Sequence, residues 1–529
     1  MKRRRLFSRG TIIFLFTILF LSFVKIDFRL NEITNGLISD DSAYYYHAQT
    51  IGVDNDLDYA NQLEGTDKRN LNLENSKPVP VHPIGVGFLA GPFLFISNIL
   101  NNLIGIDSVV SFNYFVYSLV PIFYLFLGIF LMNKVITKKV GNVNYIKTSL
   151  FVLGSGVTYY AFERFSMSHV YEFFSIIFLM YLCSKYEEKN LSSFEFLIPF
   201  VTFFFLLLRW SNYHLFLIPF FYFSIFNISS KKKLFMKPYY IFGFLAGAVL
   251  FLIHTKFLYG LYTFNPSNIF LIVENRLSEN YEQLRDISQL PENILLSLNT
   301  LFIMLFSQEF GLFYFSPIIF IGFIFLIYFL YKKKFQIFLL TSFIYLFPFV
   351  AVVIYQNTSY SYGFRYMFSL IGINIFLYFR FFRKSKIINT YLVLFSIFGI
   401  FSQLMFETSQ YTVLSIEYVE NSFGQMTLYA NPNYLSGVFK SAIIFDSYLN
   451  IVFTSFLGVI ILKFISFFTD LSSFISTFRD IDDDIALLLS NTNEISWFYL
   501  LMLFFTLYIF IKVLSRNISF DSFKEILKI

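Results

Sequence analysis

The chain has 529 residues, 56% of them hydrophobic and only 14% charged, with a formal charge of +6 and a mean hydropathy of +0.62. Soluble domains carry roughly 25% charged residues, so a soluble globular fold is excluded. The single cysteine, Cys183, excludes an internal disulfide and a cysteine-based metal site, and its apolar neighbours mark it as a buried thiol.

The N-terminus carries Lys2 and Arg3–Arg5 ahead of the apolar run Thr11–Val24, with Lys25, Asp27 and Arg29 directly after it. A small-x-small cleavage site is missing, so this reads as an uncleaved first membrane helix with its basic end in the cytoplasm. A helix crossing ~30 Å of hydrocarbon needs about 20 apolar residues. Such runs lie near 11–27, 110–132, 146–162, 169–184, 194–208, 212–228, 239–258, 312–330, 335–355, 366–380, 387–406, 444–467 and 496–514. The expected fold is an all-α polytopic membrane protein of 11 to 13 transmembrane helices. In chain order it comprises a first span (1–27), a long first extracytoplasmic loop with interfacial helices (28–108), a helical core (109–406), a second outer loop (407–443) and C-terminal spans with a tail (444–529). Residues 84–104 are apolar but hold Gly85, Gly87, Gly91 and Pro92, and are expected to lie along the outer interface.

The connections sort by charge. Lys134 to Lys147, Lys231 to Lys237, Lys332 to Lys334 and Arg380 to Lys386 all fall on the side of the N-terminal arginines, as the positive-inside rule requires. The unusual polar residues gather on the other side, in 28–108, Glu163–His169, Arg209–His214, 260–311, Gln356–Arg365 and 407–443.

Four outward stretches carry chemistry. In Asp40-Asp41-Ser42-Ala43-Tyr44-Tyr45-Tyr46-His47, Asp40 can cap a helix that aligns Asp41, Tyr44 and Tyr45 at i, i+3, i+4 spacing. Interfacial tyrosines and a capping Asp are the ordinary alternative. The functional reading is a carboxylate, kept ionised by the helix N-terminus, that takes a proton from a hydroxyl. In His82-Pro83-Ile84-Gly85, the proline starts a helix and the glycines permit close backbone approach, at a place suited to a phosphate or simply to packing. Arg365, in Tyr360-Ser-Tyr-Gly363-Phe-Arg365-Tyr, is either a snorkelling cation or a fork for a lipid phosphate. Arg164 and Arg209 pose the same question, and Glu163 can pair with Arg164. Glu309, in the block ending at Pro317, needs a partner or water at a membrane boundary. His169 and His214 begin outer helix ends, and five scattered histidines give no metal spacing. Nucleotide-binding and G-x-S-x-G signatures are missing.

Together these pieces resemble the GT-C superfamily of integral-membrane glycosyltransferases, in the branch akin to protein mannosyltransferases and aminoarabinose transferases. The points of resemblance are Asp40-Asp41-x-x-Tyr44, His82-Pro83-Ile84-Gly85, Ser166-Met-Ser-His169, the block from Glu309 to Pro317, and Tyr362-Gly-Phe-Arg-Tyr366. They occur in the family's order between about 30 and 380. The resemblance implies an inverting transfer of a sugar from a polyprenyl-phosphate-linked donor to a hydroxyl of a glycan, lipid or protein outside the cytoplasm. It also implies a bacterial plasma-membrane enzyme with a cytoplasmic N-terminus and membrane lipid around it, and no nucleic-acid partner. By similarity Asp40 is the catalytic base, Asp41 the second acid and Arg365 a phosphate clamp. His82 stands where some relatives have a phosphate-binding Lys. Tyr44, Tyr45, Arg164, His169 and Glu309 complete the expected substrate-binding set. Members differ in metal use; no cofactor is expected here, and a divalent metal is the disfavoured alternative.

Two rivals remain. A flippase or transporter of lipid-linked glycans predicts charges deep within spans, whereas these cluster at outer helix ends. A polysaccharide polymerase or ligase usually places its long outer loop late, whereas 28–108 is early. The topology is directly testable: in a Cys183→Ser background, Asp41→Cys should react with a membrane-impermeant thiol reagent added from outside. Labelling only from the cytoplasm would contradict the whole arrangement.

Overall fold

The computed structural model describes residues 40–63, 70–80, 82–104, 112–141, 145–162, 164–210, 212–226, 228, 234–264, 301–302, 304–306, 311–354, 364–405, 416–420 and 426–430. The expected spans at 11–27, 444–467 and 496–514, and Glu309, lie outside the described residues.

The chain is an all-α membrane protein. Three described helices are long and apolar enough to cross a membrane, Gly85–Leu103, Val116–Val140 and Pro238–Tyr259, and five shorter apolar helices accompany them. In order, the α-helices with described bounds are α1 (Asp40–Gln49), α2 (Ala60–Leu63), α3 (Gly85–Ile104), α4 (Phe112–Val140), α5 (Tyr145–Leu153), α6 (Val157–Phe162), α7 (His169–Lys189), α8 (Ser192–Leu206), α9 (Ile218–Ile225), α10 (Pro238–Tyr259), α11 (Leu312–Phe315), α12 (Pro317–Tyr331), α13 (Phe335–Ile354), α14 (Leu370–Leu377) and α15 (Lys386–Met405). Two short antiparallel hairpins interrupt them: β1 (Asn70–Leu71) with β2 (Pro78–Val79), and β3 (Ile416–Glu420) with β4 (Met426–Ala430). The second pairs Tyr418 with Leu428 inside the expected outer loop.

Local chemistry sets these boundaries. Pro238 and Pro317 occupy first helical positions, where their missing N–H costs nothing. Asn190 and Gly260 close α7 and α10 in the left-handed conformation, each donating its amide to the carbonyl four residues back. Three expected single spans are broken. The 146–162 run divides into α5 and α6, the 212–228 run opens with a 3-10 turn (Asn212–Leu217), and the 366–380 run passes from a 3-10 turn (Arg365–Met367) through α14 into a π turn (Tyr378–Phe382). Hydropathy windows see apolarity but not these changes of backbone winding. At 20 residues, α3 is itself long and apolar enough for a span, so its length does not distinguish a span from the interfacial helix expected there.

α4 and α7 pack side by side around a core that includes Tyr117, Phe126, Tyr171 and Phe173, while α8 packs on α10. At one end of the bundle the four expected inward loops converge. Lys138 pairs with Glu188 (3.1 Å), Lys139 with Glu187 and Lys237 with Glu195 (3.9 Å), while Arg383 donates to the Val140 carbonyl (2.9 Å) and Arg380 to that of Ile225 (3.3 Å). Lys334 lies over the Phe381 ring at 4.3 Å. The charge sorting read from the sequence therefore corresponds to one physical end of the molecule.

At the other end, α1 lies against α3 through the glycines of the proline-led turn. A Cβ on Gly87 would sit 2.6 Å from the His47 Cβ and 2.8 Å from its carbonyl carbon. A Cβ on Gly85 would sit 2.4 Å from the Leu207 carbonyl oxygen, which accepts the Gly85 amide at 2.7 Å. These contacts are closer than any side chain allows. Gly87→Val should therefore lower stability by about 1–3 kcal/mol, the usual cost of overpacking. Thermal unfolding in detergent checks this, and an unchanged transition would contradict the close approach.

Candidate functional site

The polar end of the bundle is built from parts of the chain distant in sequence. The short connection 164–168 ends in Ser168 and His169, which open α7, and one turn later Glu172 faces back toward them. Glu172 is 2% exposed. Its Oε1 accepts from the Ser168 hydroxyl (2.8 Å), lies 3.2 Å from His169 Nδ1 and 3.5 Å from an Arg209 terminal nitrogen. Three donors on one oxygen favour the carboxylate form. An unpaired buried charge costs several kcal/mol, and removing one member of such a pair typically costs about 3–5 kcal/mol. His169 Nδ1 also lies 3.5 Å from Arg209. Nδ1 can donate to the carboxylate only if it carries the proton, and then it cannot accept from Arg209; the shorter contact to Glu172 favours that tautomer.

Arg209 follows the end of α8. Its guanidinium lies 4.2 Å from the centroid of Tyr366, and the guanidinium of Arg365 lies 5.2 Å from the same centroid. Arg365 also donates to the Tyr366 hydroxyl at 3.4 Å. Each such cation–π contact is worth about 0.5–2 kcal/mol. Phe364, just before Arg365, is completely buried with φ 55° and ψ 74°. For a bulky L-residue this left-handed conformation costs roughly 1–2 kcal/mol, offset here by burial of the ring. The strained residue fixes where the chain turns and hence where Arg365 begins.

The first loop meets this cluster through Tyr44. Its ring stacks on His82 (5.2 Å, 15° between planes) and lies within electrostatic reach of Arg209. Behind it His47 is fully buried between Tyr59 and the backbone of the proline-led turn. His47 Nε2 donates to the His82 carbonyl at 2.8 Å, since a carbonyl can only accept; Nδ1 then accepts from the Tyr59 hydroxyl at 2.7 Å. Tyr259, at the end of α10, donates to the same carbonyl at 3.4 Å. The hairpin β1–β2 is tied to the end of α10 as well: the Asn72 amide donates to the carbonyls of Phe257 and Leu258, and Leu73 N–H to that of Tyr259.

Of the residues expected from the sequence, the structure brings together Tyr44, His82, His169 and Arg365. Tyr45 lies edge-on against Tyr114 and Tyr117 in the core, whereas Tyr44 stacks on His82. Arg164 is half-buried in the 164–168 connection, its amide donating to the Tyr159 carbonyl. Asp40 and Asp41 are the first two described residues of α1, Asp40 within the helix where a cap was expected; their side chains lie outside the description. The helix start after Pro83 is already engaged through the Gly85 amide, which narrows its use as an anion site. Glu172 was missed. Its signal was His169-x-x-Glu172 spacing in an otherwise apolar run, which reads as a site only once Arg209 is placed beside it. Among the described residues no three His, Cys, Asp or Glu side chains group as a metal site, a set that does not include Asp40, Asp41, Glu163 or Glu309.

No family model matches the chain, and no curated protein matches it. Two solved structures are similar. The crystal structure of the Archaeoglobus fulgidus oligosaccharyltransferase in the apo form shares 12% identity over 85% of this chain and 56% of that chain, with a TM-score of 0.37. The archaeal oligosaccharyltransferase AglB from Archaeoglobus fulgidus, in complex with an inhibitory peptide and a dolichol-phosphate, shares 11% identity over 84% of this chain and 56% of that chain, with a TM-score of 0.32. The chain thus spans just over half the length of each, and a likeness at these values assigns neither family nor activity.

The burial of His47 has a measurable consequence. Burial, partly opposed by the bond to the His82 carbonyl, lowers its pKa from 6.5 to about 3. The folded state therefore holds His47 neutral while the unfolded chain takes up a proton below about 6.5. Its contribution to stability is complete above that pH and falls by at most about 1.4 kcal/mol per unit as the pH drops toward 3. Between pH 7.5 and 5.0 the thermal transition of the wild type should fall more steeply than that of His47→Gln. Equal slopes would contradict a neutral, buried His47.

Proposed function

We propose that this chain is an integral-membrane glycosyltransferase that moves a sugar from a polyprenyl-phosphate-linked donor to a hydroxyl acceptor on the extracytoplasmic side. The observation that carries the reading is the pair of guanidiniums, Arg209 and Arg365, set against one tyrosine ring, with the buried carboxylate of Glu172 beside Arg209. Among the described side chains, Arg209, Arg365 and Glu172 sum to one positive charge when His169 is neutral, a sum that leaves out Asp40, Asp41 and Glu163. A sugar linked through one phosphodiester brings one negative charge to these two guanidiniums.

The chemistry then needs few parts. The acceptor oxygen attacks the anomeric carbon as the bond from that carbon to the phosphate oxygen breaks. The electron pair leaves with the lipid phosphate, whose growing charge is met by Arg209 and Arg365. The acceptor proton passes to a carboxylate, assigned to Asp40 with Asp41 as the second acid. Both open α1, whose N-terminal dipole favours an ionised base. Tyr44, one helical turn after Asp40, stacks on His82 and lies within electrostatic reach of Arg209, which joins α1 to the arginine cluster. One displacement inverts the anomeric centre. Holding donor and acceptor in line supplies much of the rate, and the rigid packing of α1 on α3 serves that purpose.

The test is sugar transfer by the full-length protein in vesicles supplied with polyprenyl-phosphate-linked sugars. Asp40→Asn should abolish transfer while the protein's abundance in the membrane stays normal; full activity would sink the assigned base. Arg365→Lys keeps the charge but loses the planar fork, and should cost roughly 10- to 100-fold in kcat/KM, as expected for a lost charge-assisted contact.

A further inference from the structure

We propose that Glu172 is a positioning residue: it holds the Arg209 guanidinium over the face of Tyr366, so that Arg209 and Arg365 act as one two-armed clamp on the phosphate of a lipid. This rests on the donor reading above and adds to it a residue that touches neither substrate nor reacting atoms.

Arg209 and Arg365 carry like charges and share one ring, with His169 edge-on to that ring at 6.4 Å. Like charges so placed repel, and their spacing needs an anchor. Glu172 supplies one through Arg209. The carboxylate is itself immobilised, since Ser168 and His169 both bond the oxygen that meets Arg209. A guanidinium has five N–H donors, and Glu172 engages it through one terminal nitrogen, so the pairing leaves capacity for an anion. Glu172 lies on α7 and Arg209 beyond α8, two helices that pack on each other. The anchor is therefore as rigid as the core itself.

Two roles for Glu172 predict opposite signs. If it merely offsets charge, Glu172→Gln leaves a more positive site and tighter anion binding. If it positions Arg209, the same change frees that arginine to move away from Arg365, and binding weakens. The readout is available in the protein itself. The chain has two tryptophans, Trp210 and Trp497, and Trp210 adjoins Arg209. In a Trp497→Phe background, the fluorescence of full-length protein in detergent would be titrated with undecaprenyl phosphate, and with undecaprenol to measure binding of the tail alone.

We expect Glu172→Gln to weaken phosphate-lipid binding at least tenfold, and Glu172→Asp, which keeps the charge but withdraws it by one methylene, to weaken it severalfold. Undecaprenol binding should not change. In turnover, the KM for the lipid donor should rise while kcat stays within about twofold, a split that general loosening of the fold would not produce. Unchanged or tighter binding by Glu172→Gln, in protein with a wild-type thermal transition, overturns the positioning role and leaves the donor reading standing. Equal affinity of the wild type for undecaprenol and undecaprenyl phosphate overturns the clamp and the donor reading together. Should Glu172→Gln fail to fold, Ser168→Ala decides: it should weaken phosphate-lipid binding two- to fivefold, and no change overturns the proposal.

Discussion

The backbone between His82 and Gly87 is approached by three separate parts of the chain. His47 and Tyr259 both donate to the His82 carbonyl, the Gly85 amide donates to Leu207, and Gly87 lies beneath His47. A turn of this kind works only without side chains at two positions and with a proline to start the helix. It ties α1, which begins with Asp40 and Asp41, to the ends of α8 and α10. Because Arg209 follows the end of α8, the same turn sets the distance between the acidic start of α1 and the arginine cluster.

The electrostatics follow from this packing. A carboxylate as deeply buried as Glu172 is tolerable because Ser168, His169 and Arg209 meet it. Rings lie against the same cluster: Tyr44 stacks on His82, Tyr160 is edge-on to His169, and Tyr366 carries the Arg209 guanidinium on its face. At the opposite end Lys138, Lys139 and Lys237 pair with Glu188, Glu187 and Glu195, while Arg380 and Arg383 donate to backbone carbonyls and Lys334 lies over the Phe381 ring. The two ends of one bundle are thus chemically distinct: one meets its cations with adjacent acids, carbonyls and a ring, and the other sets two guanidiniums on one tyrosine beside a buried carboxylate.

Much of this was legible in the sequence, for definite reasons. Lysines and arginines at regular intervals between apolar runs gave the sidedness, because charge and hydropathy are local properties. Gly85 and Gly87 announced a close approach, because glycine after proline has few other uses. His169 and Arg365 stood out as polar residues at outer helix ends. Partnerships were not legible. Glu172 needs Arg209, which lies one helix hairpin away, and a single sequence does not show which helix ends meet. Tyr44 and Tyr45 differ only in which neighbour they find, and adjacent residues on a helix point about 100° apart. The breaks at 154–156 and 378–382 arise from packing that hydropathy does not encode.

The central claim is that a lipid-linked sugar is transferred outside the cytoplasm. The most direct measurement is mass spectrometry of surface glycans and of the lipid-linked sugar pool in cells with and without this protein. The account predicts that removing it deletes one sugar from a surface acceptor and raises the amount of the matching polyprenyl-phosphate-linked sugar. Identical glycans with an unchanged lipid pool would contradict it.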